Sequence, residues 1–211
     1  MTRTTTIPWP LRGLLTALVA GLLISASAHA ESTASDRVAA FHAELKATMQ
    51  AGPELGYRGR YDKLQPLIRE TFDLPVIARV VLGQHWRELD DDQQQQFIDV
   101  FTRLTVATYA ARFNSYDGET FAHLGSKALN SNRQVVKTEM QPADDEPVRF
   151  DYLLQQRDDR WHIVSVTAEG VNDLSLKRAE YTAIIEKDGF AALLATLQDK
   201  IDSLARGTEN D

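Results

Sequence analysis

The sequence predicts an α+β fold in which a helical layer packs on a bent four-stranded antiparallel sheet, and three observations carry that prediction. Apolar residues recur at spacings of three and four both before Gly118 and after Asp173. Between those regions, four strand-like segments follow one another at hairpin spacing. The segment Phe97 to Phe113, FIDVFTRLTVATYAARF, has only Asp99, Arg103 and Arg112 as charged residues, so a helix formed there must be covered on two sides.

Residues 1–30 read as a secretory signal rather than as part of the fold. Arg3 and Arg12 give a positive start, Gly13 to Ile24 is a short apolar run, and Ala28-His29-Ala30 offers the small residues of a cleavage site after Ala30. The apolar run is well short of the roughly 20 residues needed to span a bilayer, though a retained N-terminal anchor is the alternative. Residues 31–205 are then expected to form a single domain, and 206–211, which lack any apolar residue, a disordered tail.

Val38, Phe41, Leu45 and Met49 make Asp36 to Gln50 an amphipathic helix. Gly52, Pro53, Gly56 and Gly59 are expected to break it, with a second short helix over Tyr61 to Arg69. Asp73 caps a third helix, with Pro75 in its first turn, Phe72 stapled onto Ile77 and an end near Gly83. The long helix starts at Asp90-Asp91-Asp92, where Asp90 and Gln93 have capping-box spacing, and runs to about Asn114, about 36 Å at 1.5 Å per residue. Asp99 and Arg103 stand at i, i+4 on it as a candidate ion pair. The aspartate cluster has neither the glycine-bearing loop nor the distant glutamate of a calcium site, so it reads as a cap.

Strands are expected at about Thr120 to Leu129, Gln134 to Met140, Val148 to Gln156 and Arg160 to Ala168. In the third, Val148, Phe150, Tyr152 and Leu154 alternate with mostly polar residues, leaving one apolar face for helices to cover. Strict alternation in the fourth sets Trp161 and Ile163 on one face and Val164 and Val166 on the other. Helices over Asp173 to Lys187 and Phe190 to Ala205 complete the chain, hinged at Asp188-Gly189.

Charge and composition exclude several functions. Without Arg3 and Arg12, 21 of the 23 basic residues face 30 acidic ones, a formal charge of −9. That balance argues against nucleic acid, whose affinity comes mostly from basic side chains meeting phosphates. The absence of cysteine excludes an acylated-cysteine anchor and a disulfide framework. His42, His85, His123 and His162 have no second metal ligand at motif spacing, and Ser126 lacks a nucleophile-elbow context. No catalytic residue, metal site or cofactor is therefore assigned, although an acid/base pair assembled by the fold stays open.

The run FDLPVIARVVLGQHWRELDDDQQQQFIDVFTRLTVATYAARFNSYDGETF, the strand pair VRFDYLLQQRDDRWHIVSVTAEGV and the ending LSLKRAEYTAIIEKDGFAALLATLQDKI resemble the MlaC or toluene-tolerance family of periplasmic lipid carriers, auxiliary components of ABC transporters. The resemblance rests on Leu82, Gly83 and Trp86 before the long helix, Tyr109 and Ala110 late in it, Trp161 opening the last strand, and Gly170, Val171 and Arg178 after it. Asn172, Leu176 and Lys177 depart from the phospholipid-carrier branch and look closer to the hopanoid-associated branch called HpnM.

The resemblance implies an NTF2-like or cystatin-like layer pair with a lipid cavity between helices and sheet, and a non-enzymatic carrier of phospholipid or hopanoid. Its implied partners are an inner-membrane lipid transporter complex and an outer-membrane acceptor. The cavity wall is expected from Val80, Phe101, Leu104, Thr105, Tyr109 and Phe113 on helices and from Tyr152, Leu154, Trp161, Ile163 and Val166 on the sheet. Trp86 is expected to anchor structure, and Arg178 to pair with Glu169 or Asp173. At about 0.8 kcal/mol per CH₂, releasing a lipid with roughly thirty methylenes into water costs on the order of 20 kcal/mol, so cargo must pass directly between proteins. A lipid-free transporter adaptor predicts instead a packed centre, and a small hydrolase or isomerase predicts acids or a histidine inside the cavity.

Overall fold

The computed structural model describes Met1 and residues 33–143 and 145–207, so the expected signal segment, its cleavage after Ala30 and the end of the tail lie outside the described residues. Helix α1 (Ala34–Gln50) opens with a capping box between Thr33 and Asp36. Helix α2 (Gly52–Thr71) is broken at Gly56, whose φ of 59° few other residues adopt without strain. The first helix ends before Gly52 and Pro53 as expected, but the second starts at once rather than near Tyr61, so Gly56 and Gly59 sit within its span. Gly52 allows a close approach: a Cβ there would lie 2.1 Å from the Asn114 carbonyl oxygen. The buried Arg60 guanidinium fixes the same junction by donating to the Gly52 and Ala110 carbonyls, each at 2.9 Å.

Helix α3 (Leu74–Leu82) is capped by the Asp73 carboxylate and closed by Gly83, as the sequence indicates. Gly83, at φ 59°, also lies beneath the Arg178 guanidinium, 2.5 Å from where a Cβ would stand. Arg178 packs against this backbone and makes no ion pair among the described residues. Glu169 instead accepts from the Arg149 backbone N–H, and Asp173 pairs with Lys177 at 2.5 Å. A single 3-10 turn, His85–Glu88, buries Trp86, whose carbonyl accepts from Gln94.

Helix α4 (Asp91–Arg112) carries the Asp90/Gln93 capping box and packs between α2 and α6. Asp99 accepts from Gln95, one turn back, and the expected pair with Arg103 does not form among the described residues. Helices α5 (Asp173–Asp188) and α6 (Phe190–Gly207) meet at Gly189, and α6 continues through Arg206 and Gly207, two residues expected in the tail.

The sheet has five antiparallel strands in sequential order: β1 (Thr120–Asn130), β2 (Arg133–Gln141), β3 (Val148–Arg157), β4 (Arg160–Ala168) and the two-residue β5 (Val171–Asn172). The fifth is too short to leave a periodic signal. A bulge corrects the expected faces of β4. Leu154 stands opposite Ile163 and Leu153 opposite Ser165, so Val164 is the extra residue. Residues directly opposite share a face, which puts Ile163 and Val166 together beside Leu154 and Tyr152. That face, with Val136 and Thr138 of β2, looks onto the helices. The core fills the space between with Phe41 and Leu45 of α1, Leu64 and Ile68 of α2, Phe97 and Phe101 of α4, Tyr181 of α5 and Leu197 of α6.

Candidate functional site

The helical layer and the sheet do not meet everywhere. Between α3, α4 and the start of α5 on one side and β1 to β4 on the other lies a cavity of ≈ 620 Å³. Helix α4 supplies Phe101, Leu104, Thr105, Thr108 and Tyr109, spaced by the helical repeat so that one stripe faces the void. Phe113 continues this wall beyond the helix, its ring stacked on Tyr109 with centroids 5.6 Å apart. The sheet supplies Phe150 and Tyr152 from β3 and Val166 and Ala168 from β4, residues that the bulge brings to the same side.

The floor is a cluster of aromatic rings. Phe41 meets Phe72, Tyr109 and Tyr152 edge-on, at centroid separations of 5.5, 5.7 and 6.4 Å. Behind Tyr152, the buried His42 shares a 3.0 Å hydrogen bond with the phenol and stacks on Phe121. Burial holds the imidazole down at about 4, so it is neutral at ordinary pH. Burial likewise pushes the Tyr109 and Tyr152 phenols well above their usual range, and both stay protonated.

The polar wall residues present little polarity to the interior. Thr105 and Thr108 donate their hydroxyls to the Phe101 and Leu104 carbonyls of their own helix, each at 2.8 Å. Ser165 accepts from Asn172 at 2.9 Å. Apart from the Tyr109 phenol, which makes no hydrogen bond among the described residues, the wall is hydrocarbon or internally satisfied. Charge is confined to the mouth, where Arg112 is exposed and Lys177 is paired with Asp173, next to the exposed side chains of Val171 and Leu176. Among the described residues no group of three or more His, Cys, Asp or Glu is placed to hold a metal ion.

Of the wall expected from sequence, Phe101, Leu104, Thr105, Tyr109, Phe113, Tyr152 and Val166 line the cavity. Leu154 and Ile163 are wholly buried beyond its floor, where Phe72 bridges to Ile163 and the layers touch. Trp161 is half-buried at the start of β4, and Val80, 43 % exposed, points away because Ile77, Ala78 and Val81 take the inward face of α3. Leu45, Phe72, Ile77, Phe121, Met140 and Phe150 line the cavity as well, outside the expected wall. Phe150 was within reach, since it alternates with Tyr152 on one face of β3. Phe121 and Met140 form one cross-strand pair that no local pattern aims at the void.

A void of this size is at odds with the packed centre an adaptor would have. Residues 40–199 match the family model described as MlaC protein. Among solved structures the chain is similar to a phospholipid-binding protein from Ralstonia solanacearum in complex with a phospholipid, with a TM-score of 0.74 and 22 % identity over 82 % of this chain and 99 % of that one. The likeness establishes a shared fold.

Proposed function

This chain belongs to the MlaC family, and on that premise we propose that it holds one lipid by its hydrocarbon part and passes it directly to membrane-bound partners. The family consists of non-enzymatic lipid carriers. The observation that carries the reading is the ≈ 620 Å³ cavity, whose interior wall offers almost no free polar group. Its volume lies in the range of ligand sites, roughly 300–1,000 Å³. At the ~30 Å³ that a water-sized group occupies, it takes about 20 methylenes, enough for one long acyl chain. A two-tailed lipid therefore requires the layers to part further, or leaves part of a tail near the mouth.

The cargo we propose is phospholipid or hopanoid. The Ralstonia relative with the same fold was solved with phospholipid, and Arg112 and Lys177 at the mouth suit an anionic head. The hopanoid reading rests on Asn172, Leu176 and Lys177, of which Leu176 and Lys177 rim the cavity. Residues 31–205 act as one carrier domain in the periplasm after removal of the signal segment. The partners are an inner-membrane lipid transporter and an outer-membrane acceptor, since water is not a usable intermediate for such a tail.

Native mass spectrometry of the purified protein, followed by lipid extraction, tests the reading. The expected result is about one lipid per chain, with the extract naming the class. Empty protein that also takes up no lipid from vesicles overturns it.

A further inference from the structure

A second concavity, of ≈ 360 Å³, shares only Phe72 and Leu74 with the hydrocarbon cavity, and its chemistry is the reverse. Its floor is polar and built: Asp73, Thr102 and His162 are 5, 1 and 9 % exposed. Arg157 reaches across from the end of β3 to bond Asp73 at 2.7 Å. Around the rim stand Arg69, Gln95 and Asp99, all exposed. The Thr102 hydroxyl, unlike those of Thr105 and Thr108, makes no bond to its own helix among the described residues. His162 makes no hydrogen bond there either, so both side chains have bonding positions open to the cleft they line. Burial, aided by Arg37, holds the imidazole below its usual range, so it is neutral and offers one donor and one acceptor.

We infer that this cleft binds a neutral, polyhydroxylated, ring-sized group, such as a monosaccharide or a cyclic polyol. The guanidinium groups of Arg69 and Arg157 are matched by the carboxylates of Asp73 and Asp99. An inorganic anion placed here meets two carboxylates, and a cation meets two guanidiniums. Hydroxyl groups both donate and accept, so they can meet the Thr102 hydroxyl, the neutral imidazole and the Arg69 guanidinium together with the positions left over on the Arg157–Asp73 and Gln95–Asp99 pairs. The space holds about a dozen water-sized groups at ~30 Å³ each, the size of a hexose. The site is independent of the lipid cargo, and its ligand is either a free sugar or polyol, or the sugar head of a glycolipid.

The test uses delipidated full-length protein labelled at the histidine ring nitrogens, with the His162 resonance followed by NMR. It is titrated separately with D-glucose, myo-inositol, octyl glucoside and inorganic phosphate. The inference expects saturable shifts with at least one of the hydroxylated probes in the millimolar range. It also expects about tenfold weaker binding in both Thr102→Val and Asp99→Asn, the loss of roughly one hydrogen bond each, with lipid loading of the main cavity unchanged. Response to octyl glucoside alone assigns the ligand to a lipid head, and equal response to glucose assigns it to a free sugar. Response to phosphate alone, to none of the four, or with equal affinity in the two variants overturns the inference. Asp99 is exposed, so its variant keeps the test informative should Thr102→Val fold poorly.

Discussion

Filling the cavity from its own wall should remove lipid binding without harming the fold, and Thr105→Trp is the substitution to use. Thr105 sits mid-way along the α4 stripe, and its hydroxyl serves only the Phe101 carbonyl of its own helix. Tryptophan adds roughly seven non-hydrogen atoms, or ~200 Å³ at ~30 Å³ per water-sized group, about a third of the ≈ 620 Å³ present. That displaces about seven methylenes of a guest, and at ~0.8 kcal/mol each the carrier loses up to ~5 kcal/mol of hold on it. In the empty protein the indole covers wall that was bare, so unfolding in urea should shift little, or toward greater stability. The assay is lipid transfer from labelled vesicles, read beside urea unfolding of the delipidated protein. The control is Phe97→Ala, a fully buried core position beside Tyr181, expected to cost ~3–5 kcal/mol of stability. Undiminished lipid uptake by a folded Thr105→Trp protein would refute the assignment of this void as the binding space.

Four further predictions concern close backbone contacts and buried groups around the helical layer. Gly83→Ala combines a left-handed φ with a clash against the Arg178 guanidinium, and thermal unfolding should show a loss of about 1–3 kcal/mol; Gly52→Ala, aimed at the Asn114 carbonyl, should be at least as damaging in the same measurement. Arg60→Met leaves the Gly52 and Ala110 carbonyls without their buried donor and should cost about 2–3 kcal/mol in urea unfolding. For His42 the folded value, about 4, lies below the ordinary 6.5, so the unfolded chain binds the proton more readily. Stability from this group is therefore complete above about pH 6.5 and falls by ~3 kcal/mol as pH drops to about 4. His42→Gln should flatten that part of the urea-unfolding pH profile, and an unchanged slope would discount the mechanism.

Elements whose signals are local were legible from the residues themselves. The Asp90/Gln93 box, the Asp73 cap with Pro75 and the alternation in β3 each announce a hydrogen-bonding arrangement within a few positions, and the structure has them. Gly52 and Pro53 end the first helix where their residue types say they should, but the close approach that requires a glycine at 52 lies far along the chain, at Asn114. The wall shows the same division. The α4 residues follow from helical periodicity alone, whereas the sheet residues depend on a bulge at Val164 that only pairing with β3 defines. Leu154 and Ile163 were apolar and correctly faced, yet sequence does not report how far the layers stand apart at each point.

The threonine hydroxyls folded back onto α4 have a consequence for selectivity. A lining that asks for hydrogen bonds only at the Tyr109 phenol grips a chain by girth and greasiness, and is largely indifferent to where a double bond or methyl branch falls along it. Discrimination among cargoes of similar bulk is then left to the charged and apolar residues around the opening.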